Sequence, residues 1–167
     1  MLGGLLGLGG CGFHPLYAPS NGLIGGVSTE LAAVYVPVLG ERTGQLMRQA
    51  LQQRLAGSDS GVAKRYELTA IPQLAVEGIA IQRDSSTTRY RINATGVWVL
   101  RKLDPAHTVI DQGTSHILDG VDINDQQYFA LDLETDAAYK RAVETLADQI
   151  VQKVAIVLRR RAETGAT

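Results

Sequence analysis

The chain has 167 residues, of which 45% are hydrophobic and 20% charged. This composition predicts one globular domain with its own core and argues against intrinsic disorder. The 16 Lys and Arg residues nearly balance the 17 Asp and Glu residues, for a net charge of −1. That balance argues against a dedicated nucleic-acid-binding protein, which usually carries a basic excess. No stretch reaches the ~18 apolar residues of a transmembrane helix.

Residues 1–10 are apolar or glycine and carry no charged side chain. We interpret them as the remnant of a signal peptide, although they lack the basic residues that usually begin one. Leu8-Gly9-Gly10-Cys11 fits the lipobox of bacterial lipoproteins, in which small residues admit a signal peptidase before the cysteine. The predicted product carries diacylglycerol on the sulfur of Cys11 and an acyl chain on its new amino group, and these anchor it to a membrane.

Other roles for Cys11 remain as alternatives. It is the only cysteine, so a disulfide within one chain is excluded. A free thiol near the terminus is the simplest alternative. A catalytic thiol is disfavoured, because only His14 lies nearby in sequence to lower its pKa.

The segment that follows Cys11 is rich in Gly, Pro, Ser and Asn. We therefore assign residues 11–28 to the lipidated cysteine and a tether, and residues 29–161 to a single α/β domain. Phe13, Leu16 and Tyr17 are too apolar for a simple linker, and we expect them to dock on the domain or on a partner.

Four strands and two helices are predicted in the domain, in the order β-α-β-β-β-α. Alternation of apolar and polar residues over 88–103, interrupted at Val97 and Val99, gives the clearest strand. The predicted strands are 31–39, 65–81 with a bulge or break at Pro72, 88–103 and 107–118. The predicted helices are 41–57 and 135–161, with Thr43 and Thr135 as their N-caps. Residues 162–167 are assigned to a disordered tail.

These elements predict an α+β fold, a two-layer sandwich with two helices on one face of a mostly antiparallel, four-stranded sheet. Trp98 and the apolar stripe of the last helix are expected in the core between the layers. The acidic segment 119–136 connects the last strand to this helix.

The sequence shows no recognisable catalytic motif. It has no Gly-rich phosphate loop, no paired cysteines and no GxSxG. His107 and His116 could face each other across a hairpin, but we interpret them as two exposed strand histidines. Asp119 and Asp122 are interpreted as surface carboxylates. We therefore predict a binding or structural protein that is not an enzyme and has no cofactor and no metal site.

Three arginines form the candidate ligand site. Arg89 and Arg91 lie on one face of the predicted strand by period-2 alternation, and Arg83 lies in the turn that feeds it. Guanidinium groups bind phosphate with two hydrogen bonds, so the cluster fits a phosphorylated ligand. The alternative is a solvated strand face, or one paired with the acidic segment 119–136.

Four stretches of the chain, taken in order and spacing, resemble the LptE family of lipopolysaccharide (LPS)-assembly lipoproteins in its alphaproteobacterial form. They are CGFHPLY, YVPVLGERTGQLMRQALQQRL, GIAIQRDSSTTRYRINATGVWVL and YKRAVETLADQIVQKVAIVLRR. The resemblance covers the chain from Cys11 to about Arg161. It implies two helices packed on a four-stranded sheet, as the pattern also predicts.

The resemblance implies a lipoprotein anchored in the periplasmic leaflet of the outer membrane. There it would plug the LptD β-barrel, bind LPS directly and assist LPS delivery to the outer leaflet. Family members bind LPS with basic residues in and near the turn between the second and third strands, which Arg83 matches. The family's second basic contact, before the last helix, has no Lys or Arg here.

Two other functions remain open at this stage. One is a periplasm-facing lipoprotein that scaffolds another envelope protein. The other is a lipoprotein hydrolase, which the missing catalytic residues disfavour.

Overall fold

The computed structural model describes residues 23–55, 61–81, 87–122 and 128–165. These residues form a mixed four-stranded sheet packed against helices, which confirms the predicted α+β fold. The elements are α1 (Leu23–Ala32), β1 (Val34–Tyr35), α2 (Glu41–Arg54), β2 (Tyr66–Ile81), β3 (Thr87–Lys102), β4 (Val109–Asp122) and α3 (Tyr128–Thr164). The sheet order is β1-β2-β3-β4, with β1 parallel to β2 and the other pairs antiparallel.

Helix α1 was not predicted, and it begins inside the segment assigned to the tether. Its sequence, LIGGVSTELA, contains two adjacent glycines, which disfavour an isolated helix. Packing provides the compensation, because Val27 and Leu31 are buried in the same core as α3. Glu30 further ties α1 to the start of β2 by accepting hydrogen bonds from Arg65 Nη2 at 2.6 Å and Tyr66 Oη at 2.9 Å.

Strand β1 is much shorter than the predicted strand 31–39. Tyr66 donates its N–H to the carbonyl of Ala33 at 3.2 Å, so the parallel ladder begins there. Two residues further along each strand, the next bond of this ladder would need the N–H of residue 37 to donate to the carbonyl of Leu68, and residue 37 is Pro37. Proline has none, which explains why β1 ends at Tyr35.

Strand β2 continues through Pro72 without the predicted break. The N–H of Tyr66 points away from β3, and the N–H of Lys102, its Cα partner on β3, donates to Thr108 on the β4 side at 2.9 Å. By alternation, every second residue of β2 from Tyr66 to Gly78 directs its N–H and C=O away from β3. Pro72 belongs to this series, so it removes no bond from the β2–β3 ladder. The irregularity lies instead between Gly78 and Ala80.

The core lies between the sheet and the helices. Leu68, Leu100 and Trp98 face it from the sheet, and Trp98 is buried as predicted. The apolar stripe of α3 completes this core, including the fully buried Leu146 and Ile150.

The helix ends differ from the predicted ends. Helix α2 has Gly40 at its N-cap without a side-chain hydrogen bond, so Thr43 is not the cap. Helix α3 begins at Tyr128 within the acidic segment, which places Thr135 inside the helix, and it continues to Thr164, into the predicted tail. The two helices are joined by Arg54 and Asp148, whose carboxylate raises the pKa of the arginine mainly through their hydrogen bond.

Candidate functional site

The sheet has one face covered by helices and one that the described helices leave open. Burial alternates along each strand, so every second residue belongs to this open face. Its members are Glu67, Thr69, Ile71, Gln73, Ala75 and Glu77 of β2; Arg91, Asn93, Thr95, Val97, Val99 and Arg101 of β3; and Val109, Gln112, Thr114, His116 and Leu118 of β4.

Large apolar side chains are exposed on the open face. Ile71 is 57% exposed and lies directly opposite Val97, which is 45% exposed. Leu118, on β4, is 64% exposed. Neighbouring apolar groups on a surface of this kind are typical of an interaction surface, whereas isolated ones are ordinary.

Polar side chains lie between these apolar groups. Thr95 Oγ1 and His116 Nδ1 form a cross-strand hydrogen bond at 3.1 Å. His107 is not the strand residue that the sequence had predicted, and it does not lie opposite His116. It lies in the β3–β4 turn, where its φ is 47°. The open face therefore combines apolar contacts with neutral hydrogen-bonding groups.

The predicted arginine site lies at one end of the sheet, next to the β2–β3 connection; we call this the distal end. Arg91 is an exposed residue of the open face, with Glu77 of β2 and Gly120 of β4 as its Cα partners. Arg89 lies two residues closer to the connection, on the same strand face by alternation, and its Cα partners are Ala80 and Asp122. Arg83 lies outside the described residues.

The acidic segment does not neutralise Arg91 through Asp119. Asp119 is opposite Ile92, on the helix-covered side of the sheet, and its Oδ2 lies 3.8 Å from Nε of Arg141 on α3. No ion pair joins Arg91 to any described carboxylate. A guanidinium group that is exposed and has no ion-pair partner is available to an anionic ligand.

Glu77 is the neighbour of Arg91 that the sequence did not predict, whereas Asp122, the partner of Arg89, belongs to the acidic segment 119–136 already considered. The pairing of strands 65–81 and 88–103 was not assigned residue by residue, so no partner for Arg91 could be named. Counting back from the β3–β4 turn at Asp104 would place Asp122 near Arg89. The register shift between Leu100 and Arg101 prevents an exact assignment from the sequence.

The remaining predicted residues lie in the part of the chain that the structure does not describe. They are Cys11, Phe13, His14, Leu16 and Tyr17.

The described residues contain no cluster of His, Cys, Asp or Glu able to hold a metal ion. Among the described helices, none has a run of apolar residues long enough to cross a bilayer. A cavity of about 250 Å³ lies beside β1 and α2, lined in part by Arg48, Gln52 and Lys64. It is at the opposite end of β2 from Arg91, so it adds nothing to the distal site.

Comparisons with known proteins agree with this architecture. A family model described as LptE, lipopolysaccharide-assembly, matches residues 31–154, well over half of the chain. None of the curated proteins compared with the chain matches it.

Solved structures share the fold. A crystal structure of a protein from Caulobacter crescentus CB15, described as a lipoprotein, aligns with a TM-score of 0.61 and 24% identity, covering 82% of this chain and 98% of that one. Rare lipoprotein B from Shewanella oneidensis aligns with a TM-score of 0.52 and 13% identity, covering 73% and 91%. Lipoprotein B from Nitrosomonas europaea gives 0.51 and 13%, covering 80% and 83%.

Proposed function

Because the chain belongs to the LptE family of lipopolysaccharide-assembly lipoproteins, we propose that it plugs the lumen of the LptD β-barrel and binds LPS directly. In this role it assists LPS delivery to the outer leaflet without catalysing a reaction. The observation that carries the proposal is the family match over residues 31–154, which includes all four strands, α2 and most of α3.

The surface of the domain supports a plug. A wide barrel leaves an aqueous lumen unless something fills it. The open face offers apolar contacts at Ile71, Val97 and Leu118, together with neutral hydrogen-bonding groups such as Thr95 and His116. The hydrogen-bonding groups of this face suit a barrel interior, which is polar.

The distal arginines support the LPS-binding part of the proposal. LPS carries phosphates, and planar guanidinium groups bind phosphate with paired hydrogen bonds. Arg91 is exposed and unpaired with described carboxylates, and Arg89 follows it toward the connection that contains Arg83. We propose these three arginines as the LPS-binding residues.

The N-terminus defines the location in this proposal. Acylation of Cys11 would hold the domain at the periplasmic leaflet of the outer membrane, since two or more acyl chains anchor stably. The alphaproteobacterial form of the family is part of the same proposal, supported by the CGFHPLY segment and the stretches named above.

The test is co-expression of the full chain with LptD, followed by affinity purification from detergent-solubilised outer membranes. We expect a stable complex in which protease cleavage of the domain is slower than in the free protein. Equal cleavage with and without the barrel would contradict the plug. Recovery of a different envelope protein in place of LptD would favour the scaffold alternative.

A further inference from the structure

Helix α3 contributes a side chain that covers the β4 edge of the sheet, and among the described residues no helix does so at the β2 edge. On β4, Lys153 of α3 donates from Nζ to the carbonyl of Thr114 at 2.7 Å and to Ser115 Oγ at 3.0 Å. Thr114 is opposite Val97, whose N–H and C=O point toward β2, so this carbonyl is one of the free groups of the β4 edge. A lysine on an edge is a common way to block strand pairing.

Among the described residues, none covers the outer edge of β2 over residues 72–78. Strand β1 pairs only with Tyr66 and Glu67. Leu68 and Ala70 are fully buried, whereas every residue from Pro72 to Gly78 is half-buried or exposed. Within the described residues, no side chain donates to or accepts from the backbone of this segment.

The free backbone groups of this edge can be assigned. By the alternation established from Tyr66, the outward groups are the carbonyl of Pro72 and the N–H and C=O of Leu74, Val76 and Gly78. The missing N–H of Pro72 limits pairing at one end, and the irregularity after Gly78 limits it at the other. The segment between these limits has the length of an ordinary strand.

The segment is complementary to itself when two copies run antiparallel about Ala75. Leu74 of one copy then lies opposite Val76 of the other, and these residues exchange both backbone hydrogen bonds. The N–H of Gly78 in one copy donates to the carbonyl of Pro72 in the other. On the open face, Gln73 lies opposite Glu77, so an amide can donate to a carboxylate, and no two like charges meet.

We propose that a second copy of this chain pairs with the 72–78 edge of β2, forming a two-fold symmetric dimer with Ala75 at the axis. An exposed apolar edge strand invites aggregation, and Val76 is 41% exposed here. Pairing of two copies protects both edges while the protein is free of other partners. The dimer is isologous, so the same segment serves both sides of the interface.

A cysteine at the axis gives a direct test. The full chain is prepared with Cys11→Ser, which removes its only thiol, and Ala75→Cys is added. The two Ala75 residues form a non-hydrogen-bonded pair, whose Cα atoms lie about 4.5 Å apart and allow a disulfide. We expect a covalent dimer under mild oxidation. Gln112→Cys on β4, also on the open face and exposed, is the matched control and should remain monomeric.

A charge series tests the register independently of any disulfide. In the Cys11→Ser chain, Gln73→Lys places a lysine opposite Glu77 and should tighten the dimer about fivefold in sedimentation equilibrium. Gln73→Glu should weaken it by a similar factor, and adding Glu77→Lys to Gln73→Glu should restore it. Val76→Pro removes an outward N–H but no bond to β3, and should abolish dimerisation while thermal unfolding remains cooperative.

Two results would overturn the proposal. One is Ala75→Cys cross-linking no faster than Gln112→Cys. The other is a charge series in which the double variant is as weak as Gln73→Glu alone. Neither result bears on the LptD complex, since the dimer is measured with the chain alone.

Discussion

At the scale of single residues, the distal site depends on which side of the sheet each charge occupies. Arg91 and Asp119 are close in the strand register, yet they belong to opposite faces, and Arg141 lies beside Asp119. Asp119 is therefore not a partner of Arg91, and among the described residues Arg91 forms no ion pair, although Glu77 lies opposite it on β2. This separation keeps the charge of Asp119 on the helix-covered side of the sheet, away from Arg91 on the open face.

The arginine site predicts a loss of LPS affinity when two of its charges are removed. Arg83→Gln with Arg91→Gln should weaken binding at least about tenfold, equivalent to ~1.4 kcal/mol. Hydrogen bonds to charged groups contribute ~1.5–3 kcal/mol when water is partly excluded, and less when the pair is exposed. The measurement is titration of labelled LPS against the full chain, repeated at higher salt, where binding should weaken.

Arg160→Gln is the matched control for that titration. Arg160 is exposed near the C-terminal end of α3, far along the chain from the distal arginines, and should leave LPS affinity unchanged. If the double variant keeps its affinity and its circular dichroism melt, the arginines are an ordinary solvated surface.

Asp104 gives a prediction on pH. Its carboxylate accepts hydrogen bonds from the amide and the hydroxyl of Thr108, each at 3.1 Å. The Thr108 amide is the main cause that holds the pKa of Asp104 below its usual value, and the hydroxyl and Lys102 act in the same direction. The stabilisation is therefore present above the unfolded pKa of about 3.9 and is lost as the pH falls through the lowered folded pKa.

Asp104→Asn should accordingly lower the melting temperature at pH 6 and have a smaller effect at pH 2.5. Thermal unfolding of both proteins at the two pH values measures the difference. An equal effect at both pH values would show that the charge of Asp104 does not stabilise the turn.

At the scale of elements, the packing of β4 on β3 depends on a glycine beneath the tryptophan. A Cβ at Gly113 would lie 3.0 Å from Cζ2 and 3.2 Å from Cε2 of Trp98, a rigid ring that is 97% buried by neighbouring atoms and cannot easily move. Gly113→Ala should therefore destabilise the fold by about 1–3 kcal/mol. Chemical denaturation measures the change.

Gly40→Ala is the control, because no heavy atom lies within 4 Å of the Cβ it would add. It should change the free energy of unfolding by much less than Gly113→Ala. Adding Trp98→Phe to Gly113→Ala should recover part of the loss if the ring is the cause, and no recovery would exclude this contact.

The elements also show what a sequence alone can predict. The alternation over 88–103 and the apolar stripe of the last helix were sufficient to predict β3 and α3, because each pattern follows from burying one face of a regular element. Helix α1 could not be predicted, because its glycines disfavour a helix and its stability comes from burial of Val27 and Leu31. The continuity of β2 through Pro72 depends on which way its nitrogen points, and this is known only when the register is known.

The candidate site was predictable to a similar extent. The shared strand face of Arg89 and Arg91 follows from period-2 alternation. Their separation from Asp119 does not, because it depends on the β3–β4 register and on Arg141 of a helix distant in sequence. The exposed apolar residues of the open face were likewise predicted to lie in strands, but the sequence did not predict that they would be exposed together on one face.

At the scale of the whole molecule, the anchor predicts a defined chemical modification. When the protein is expressed in a Gram-negative host, the mature chain should begin at Cys11 and carry the mass of diacylglycerol and a further acyl chain. Intact mass spectrometry of the purified membrane fraction measures this. Cys11→Ser should give an unacylated precursor that retains residues 1–10, whereas an unmodified Cys11 in the wild type would contradict the lipobox interpretation.

The proposed plug also predicts which surface meets the barrel. Within the described residues, the exposed apolar side chains of the open face contrast with α3, on which Ile156, at 42% exposure, is the exposed large apolar residue. If the open face packs against the barrel, Leu118→Lys places a charge in that interface. Burial of a leucine side chain contributes ~1.5–3 kcal/mol, so we expect at least a tenfold loss of affinity for LptD.

Ile156→Lys is the matched variant on the helical side and should leave that affinity unchanged. Both side chains are exposed in the free domain, so neither change removes a core contact, and melts of the two variants should agree. Quantitative co-purification of each variant with LptD, in competition with the wild type, gives the relative affinities. Loss of binding with Ile156→Lys and retention with Leu118→Lys would place the helices against the barrel wall, and the open face would then line the path left for LPS.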